Sequence, residues 1–197
     1  TEYEPDISLA VSEERRDAAR RMLSNAGADL ARRLVAIGAG STNSMAKRWG
    51  VDKFAALNDR LQIEAGAQTI LVGAPSETDV SRDVIERSKV KPIDLTGQTG
   101  VAEAAAVLSV ADLLVSNDMG LAHVAPAVGT RTAVIFGPTD PVTTRPFSDE
   151  AVVIRNNVEC SPCMLRECPI DHRCMTGVTV EHVLEVCRDL LTRGEKE

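Results

Sequence analysis

"VAEAAAVLSVADLLVSNDMGLAHVAPAVGTRTAVIFG", residues 101–137, places two helix-to-strand units back to back, and its reading decides the fold. Residues 100–110 are mostly small and apolar, with Glu103 and Ser109 the exceptions, which suits a helix lying close on a sheet. Residues 112–118 read as a strand that follows from the apolar run "ADLLV", 120–129 as a short helix that carries Pro126, and 132–137 as a second apolar run closing on Gly137. Short runs without polar alternation read as strands covered on both faces, and strands joined through helices must run parallel.

The same unit recurs outward in both directions. Residues 11–27 read as a helix with Ser12 as cap and Gly27 as stop, ahead of a strand in "RLVAIGAG" (33–40). Residues 51–66 precede "QTILVG" (68–73), and residues 77–88 precede "PIDLTG" (92–97). A strand at "AVVIR" runs into a Cys-rich loop over 156–178, and 179–193 closes as an amphipathic helix. Right-handed crossovers then give an α/β fold: a Rossmann-like open parallel sheet with helices on both faces and ligands at the carboxyl ends of the strands. One such domain is expected over 1–197, with 1–10 as a linker. The acidic, Pro-containing opening "TEYEPDISL" reads as a domain boundary, so the chain is expected to be part of a larger protein.

The chain has 197 residues, 44% of them hydrophobic and 26% charged, which suffices for one domain with a real core. A net charge of -7 and the lack of a basic stripe argue against nucleic acid as a partner. No run approaches the ~20 apolar residues of a membrane span, and the opening lacks the pattern of a signal peptide. The chain is expected to be cytosolic.

Chemistry-bearing residues fall where this architecture would place a site. After the first strand, "GAGSTNSMAKRWG" (38–50) offers small residues for close backbone approach, the hydroxyls Ser41 and Thr42, and Lys47 as a point charge for phosphate. The bland alternative is a glycine turn with a solvated lysine. The third glycine of G-x-G-x-x-G is missing, as is an acidic residue at a strand end about 20 residues on, which argues against a nicotinamide dehydrogenase. Glu77 follows a Gly-Ala-Pro turn and suits a ribose diol, or is simply a first-turn carboxylate favoured by the helix dipole. Thr96, Thr99 and Gly100 stand at the next helix start as ligand contacts or caps. In "SNDMGLAH" (116–123) the N–H groups of Met119 and Gly120 suit a diphosphate at the helix start, with Asp118 as a plain N-cap the bland alternative. His123 is either a site residue or a satisfied core histidine. Thr139 and Asp140, in "FGPTDP", are explained by a tight turn.

Cys160, Cys163, Cys168 and Cys174 follow C-x2-C-x4-C-x5-C, and Cys187 lies on the final helix. A structural zinc, a packed reduced turn and a disulfide all remain open, the spacing not being that of a standard zinc ribbon.

The order "GAGS…AKRWG…FAALNDRL", "LVGAPSE", "DLTGQTGVAEAAAVLSVADLLVSNDMGLAHVAPAVGT", "AVIFGPTDP" and "CSPCMLRECPIDHRCM" resembles the carboxy-terminal half of the ADP-heptose:lipopolysaccharide heptosyltransferases, glycosyltransferase family nine. The Cys pattern is most similar to the heptosyltransferase II branch. The resemblance covers nearly the whole chain and implies a GT-B enzyme of two Rossmann-like halves. It implies that Ser41, Thr42 and Lys47 meet the donor phosphates, that Glu77 lies near the adenosine ribose, that Thr99 lines the nucleotide pocket, and that Asp118, Met119, Gly120 and His123 form the donor motif. The family usually has Thr or Ser at Met119, Pro at Gly50, and an unbroken helix at Pro126. The implied reaction is inverting transfer of heptose from ADP-heptose to the lipopolysaccharide core, with no cofactor required. Its general base is an Asp of the other half, which also meets the acceptor at the inner face of the inner membrane. On that reading the chain binds donor but does not catalyse transfer alone. The competing reading is a non-enzymatic nucleotide-binding or zinc-stabilised interaction domain on the same fold.

Overall fold

The computed structural model describes residues 7–42 and 44–193. The order of elements is α1 (Glu13–Asn25), β1 (Leu34–Gly38), α2 (Val51–Glu64), β2 (Gln68–Leu71), α3 (Thr78–Arg87), β3 (Ile93–Asp94), α4 (Val101–Val110), β4 (Leu113–Asn117), α5 (Gly120–Ala127), β5 (Arg131–Phe136), α6 (Pro141–Thr144), β6 (Ala151–Arg155), α7 (Arg173–Thr176) and α8 (Val180–Thr192). Single 3-10 turns at Met45–Lys47 and Pro75–Glu77 precede α2 and α3. Of the opening segment expected to be a linker, residues 1–6 lie outside the described residues; Leu9 N–H donates to Ala127 O at 2.7 Å and ties the rest to the end of α5.

The strands form one sheet in the order β3-β2-β1-β4-β5-β6, every pair parallel. β1 and β4 pair with Ala36 opposite Leu114 and Gly38 opposite Ser116. The chain builds outward from β1 to one edge and then returns to build from β4 to the other, so a crevice opens between the carboxyl ends of β1 and β4.

Alternate residues of each strand feed two cores. Val35, Ile37, Leu113, Val115, Ala133 and Ile135 face α2, α3 and α8, where Phe54, Leu57, Val84 and Leu184 are buried. Ala36, Ile70, Val72 and Leu114 face α1, α4 and α5 through Leu23, Val107 and Ala125. The β1, β4 and β5 interiors are therefore buried on both sides, which explains their continuous apolar runs.

Ser12 caps α1 as expected, accepting from Arg15 N–H at 3.4 Å; Thr179, not singled out in the sequence, caps α8 by accepting from His182 N–H at 3.2 Å. Pro126 sits in the last turn of α5, where the helix stops after one more residue. The strand expected over 92–97 is only the two residues of β3 at the sheet edge. The Cys-rich segment is not loop throughout, since α7 lies within it and buries Cys174 and Met175.

Candidate functional site

A cleft of about 970 Å³ lies over the β1–β4 crevice. The turn after β1 supplies Ser41, Thr42 and Lys47; the turn after β2 supplies Glu77; the start of α4 supplies Thr99; the start of α5 supplies Asp118, Met119, Gly120 and His123. All nine residues singled out in the sequence as donor-side candidates thus line one cleft. Val101, Ala104, Leu121 and Val124 give it an apolar wall.

Its polar centre is a pair drawn from two loops. Lys47 Nζ lies 2.7 Å from Asp118 Oδ2, with the Lys47 side chain 26% and the Asp118 side chain 5% exposed. The solvated-lysine alternative is therefore overturned. The capping alternative for Asp118 also fails: the N-cap position of α5 is Met119, with extended backbone and no side-chain cap, and among the described residues no side chain caps the helix. The N–H groups at the start of α5 and Lys47 line the same cleft, an arrangement chemically suited to an anion.

Glu77 is buried at 2% exposure and stands in the first turn of the 3-10 segment Pro75–Glu77, where it also closes the turn as the first-turn alternative has it. Its Oε2 accepts from Ala74 N–H at 2.9 Å and its Oε1 from Thr42 Oγ1 at 3.3 Å. A carboxylate accepts about four hydrogen bonds, and among the described residues these two are the ones Glu77 receives. The fit requires glycine at 40, where an added Cβ would lie 2.3 Å from the Glu77 carboxyl carbon. At Gly38 it would come within 2.9 Å of Met119 Sδ.

Other expectations fare differently. Thr96 neither caps α4 nor lines the cleft; it is buried, with its hydroxyl 2.7 Å from Ser81 Oγ. The first turn of α4 is instead closed by Glu103, which accepts from Gly100 N–H at 2.7 Å. His123 is exposed at the cleft, not buried in the core, because α5 turns Ala122 and Ala125 inward on either side of it. Asp140 caps α6 by accepting from Val142 N–H, as a turn residue would. Its neighbour Thr139 does more: buried at 6% exposure, it donates to Asp118 Oδ2 at 2.7 Å.

Two further residues escaped sequence reasoning. Asn117, fully buried at the end of β4, accepts from Trp49 N–H at 3.0 Å and donates to Ala39 O and Gly40 O, pinning the turn that carries Ser41 and Lys47. An amide ending an apolar strand was the available signal. Arg166 O, in the Cys-rich segment, accepts from Ala46 N–H and Ser44 Oγ and holds the same turn from above. Trp49, beside that turn, donates through Nε1 to Val178 O at 2.9 Å and packs edge-on to Phe54.

All five cysteines are free thiols. Cys160 and Cys163 are exposed and Cys174 is buried; burial, with the nearby Cys160, Cys163 and Cys168, pushes the Cys174 thiol up. Among the described residues no three His, Cys, Asp or Glu side chains converge to hold a metal ion. No helix among them is long and apolar enough to cross a membrane.

The chain is similar to lipooligosaccharide heptosyltransferase 2 of Campylobacter jejuni, 26% identical over 166 residues that cover 81% of this chain and 51% of that protein. It is 30% identical to the enzyme of the same name from Haemophilus influenzae, over 75% of this chain and 44% of that one. The chain thus spans about half the length of the curated relatives it matches. Among solved structures it superposes on a family 9 glycosyl transferase from Veillonella parvula with a TM-score of 0.82 at 25% identity, covering 95% of this chain and 54% of that one. For the ADP-heptose LPS heptosyltransferase II of Escherichia coli the TM-score is 0.81 at 26% identity, over 96% and 54%. The family described as Glycosyltransferase family 9 (heptosyltransferase) matches residues 2–173, spanning the whole cleft and its supporting sheet, and the chain belongs to that family.

Proposed function

We propose that the cleft binds ADP-heptose and that this chain is the donor half of a glycosyltransferase moving heptose, with inversion, to a hydroxyl of the lipopolysaccharide inner core. The observation that carries the reading is the juxtaposition of Lys47, the uncapped start of α5 and the buried Asp118 at one switch point. A cation and backbone donors suit a diphosphate, and a buried carboxylate beside them suits the hydroxyls of the attached sugar. Glu77 takes the ribose diol, Thr99 the nucleoside, and the apolar wall the adenine face.

As the bond from the anomeric carbon to the diphosphate oxygen breaks, negative charge grows on the leaving ADP. Lys47 and the Met119 and Gly120 N–H groups neutralise it in place, without reorganising water. Asp118 holds the sugar while the acceptor hydroxyl attacks from the opposite face. The base that takes the acceptor proton, and contact with a membrane-borne acceptor, are assigned to the other half of the enzyme.

Calorimetric titration of the chain with ADP, ADP-heptose and UDP-, GDP- and CMP-sugars tests this. ADP and ADP-heptose are expected to bind in preference to the others, with no turnover by the chain alone. No heat with ADP at millimolar concentration, on folded protein, would overturn the reading.

A further inference from the structure

We infer that Thr139 is the positioning residue that turns the Asp118 carboxylate toward the donor sugar; the inference rests on the donor-site reading above and assigns a part to a residue outside the nine. Two donors converge on one oxygen of that carboxylate. Lys47 Nζ and Thr139 Oγ1 each lie 2.7 Å from Asp118 Oδ2. A carboxylate oxygen offers two in-plane lone pairs, so Oδ2 is saturated by protein. Among the described residues nothing donates to Oδ1, and Asp118 lines the cleft. The acceptor left for a ligand is therefore Oδ1, and the plane of the carboxylate is fixed by the pair on Oδ2.

The two donors are not equivalent. Lys47 is partly exposed and sits on a turn lining the cleft, so an incoming diphosphate competes for its ammonium. Thr139 is buried, carries no charge and does not line the cleft, so no phosphate draws it away. Its backbone is also braced. Ser161 Oγ donates to Gly137 O at 2.6 Å, and the N–H groups of Cys163 and Met164 donate to Pro138 O at 3.0 and 2.8 Å. When the phosphates recruit Lys47, Thr139 remains on Oδ2 and keeps Oδ1 aimed at the sugar. Thr139 thus sets affinity for the sugar of the donor and leaves affinity for the nucleotide alone.

The experiment compares the parent chain with Thr139→Val, which keeps the shape and removes the hydroxyl, and Thr139→Ser, which keeps the hydroxyl. ADP and ADP-heptose are titrated in parallel, with thermal unfolding recorded on each protein. Thr139→Val is expected to bind ADP within about twofold of parent and ADP-heptose about tenfold more weakly, with Thr139→Ser restoring the ratio. An unchanged ratio in Thr139→Val, a parallel loss of both ligands, or failure of Thr139→Ser to restore the ratio while folded would overturn the inference and leave the donor site standing. Failure of the parent itself to bind either ligand would remove the donor-site reading and this inference with it.

Discussion

Lys47 and Asp118 meet across the switch point of the sheet, ammonium to carboxylate oxygen at 2.7 Å, each brought by a loop that leaves the carboxyl end of a neighbouring strand. The pair satisfies a buried carboxylate, and on the proposed donor-site reading it also supplies a cation once a diphosphate displaces it.

Lys47→Ala is therefore expected to act twice. A lysine held only by solvent would leave stability unchanged; this one leaves behind a carboxylate that is 5% exposed with Thr139 as its remaining donor. Unfolding free energy should fall by about 1–3 kcal/mol, and ADP binding should weaken by about 1.5–3 kcal/mol through the lost charge-assisted contact. Urea unfolding and calorimetry on the same preparation measure both; affinity equal to that of the parent would place the phosphates elsewhere.

Asp118→Asn separates the sugar from the nucleotide. No helix cap is lost, because Asp118 does not cap α5. The variant should bind ADP as well as the parent or better, having lost a nearby negative charge, and ADP-heptose more weakly by about 1–2 kcal/mol. Equal ratios of the two affinities in variant and parent would show that Asp118 does not read the sugar.

Gly40→Ala should be costly despite its small size. The added methyl meets the Glu77 carboxyl group at 2.3 Å, so Glu77 must leave the Ala74 N–H or the strand end must shift. A loss of about 1–3 kcal/mol in stability is expected, with weaker ADP binding. Shortening the partner tests the cause: in a double-mutant cycle Glu77→Ala should relieve part of the Gly40→Ala penalty, and strict additivity would count against this contact.

Burial pushes the Cys187 thiol up to about 12, from an ordinary value of 9.0. Because the folded-state value is the higher one, the stabilisation is complete below about pH 9 and is lost as pH rises toward 12. Stability of the parent should fall between pH 9 and 11 more steeply than that of Cys187→Val, by up to about 1.4 kcal/mol per pH unit. At pH 8 the exposed Cys160 and Cys163 should alkylate well before Cys187, as mass spectrometry of timed samples would report. Equal labelling of the three would contradict the burial.

The alternation of helices with apolar runs made the layered parallel architecture legible, because burial on both faces imposes continuous hydrophobicity on β1, β4 and β5. The edge strand β3 was overestimated, since a two-residue strand leaves little local signature. The site was legible as a set of loops, each at a strand's carboxyl end, and not as a set of contacts. Asp118 reads locally like a helix cap; only the fold brings Lys47 and Thr139 to its Oδ2. Thr139 was hidden for the same reason, since "GPTDP" accounts for itself as a turn. Thr96 looks like a cap and pairs with Ser81 from another helix. Asn117 works through Trp49, Ala39 and Gly40, none of them its neighbour in sequence.

The chain has a single tryptophan, and the fold seats it two residues beyond Lys47, buried, with its indole N–H held by Val178 O and its main-chain N–H by Asn117. This chain therefore carries its own optical label on the turn that, on the donor-site reading proposed above, responds when Lys47 leaves Asp118 for a phosphate. On that reading its intrinsic emission should follow the arrival and departure of a donor in real time, with no dye attached and no second indole within these 197 residues.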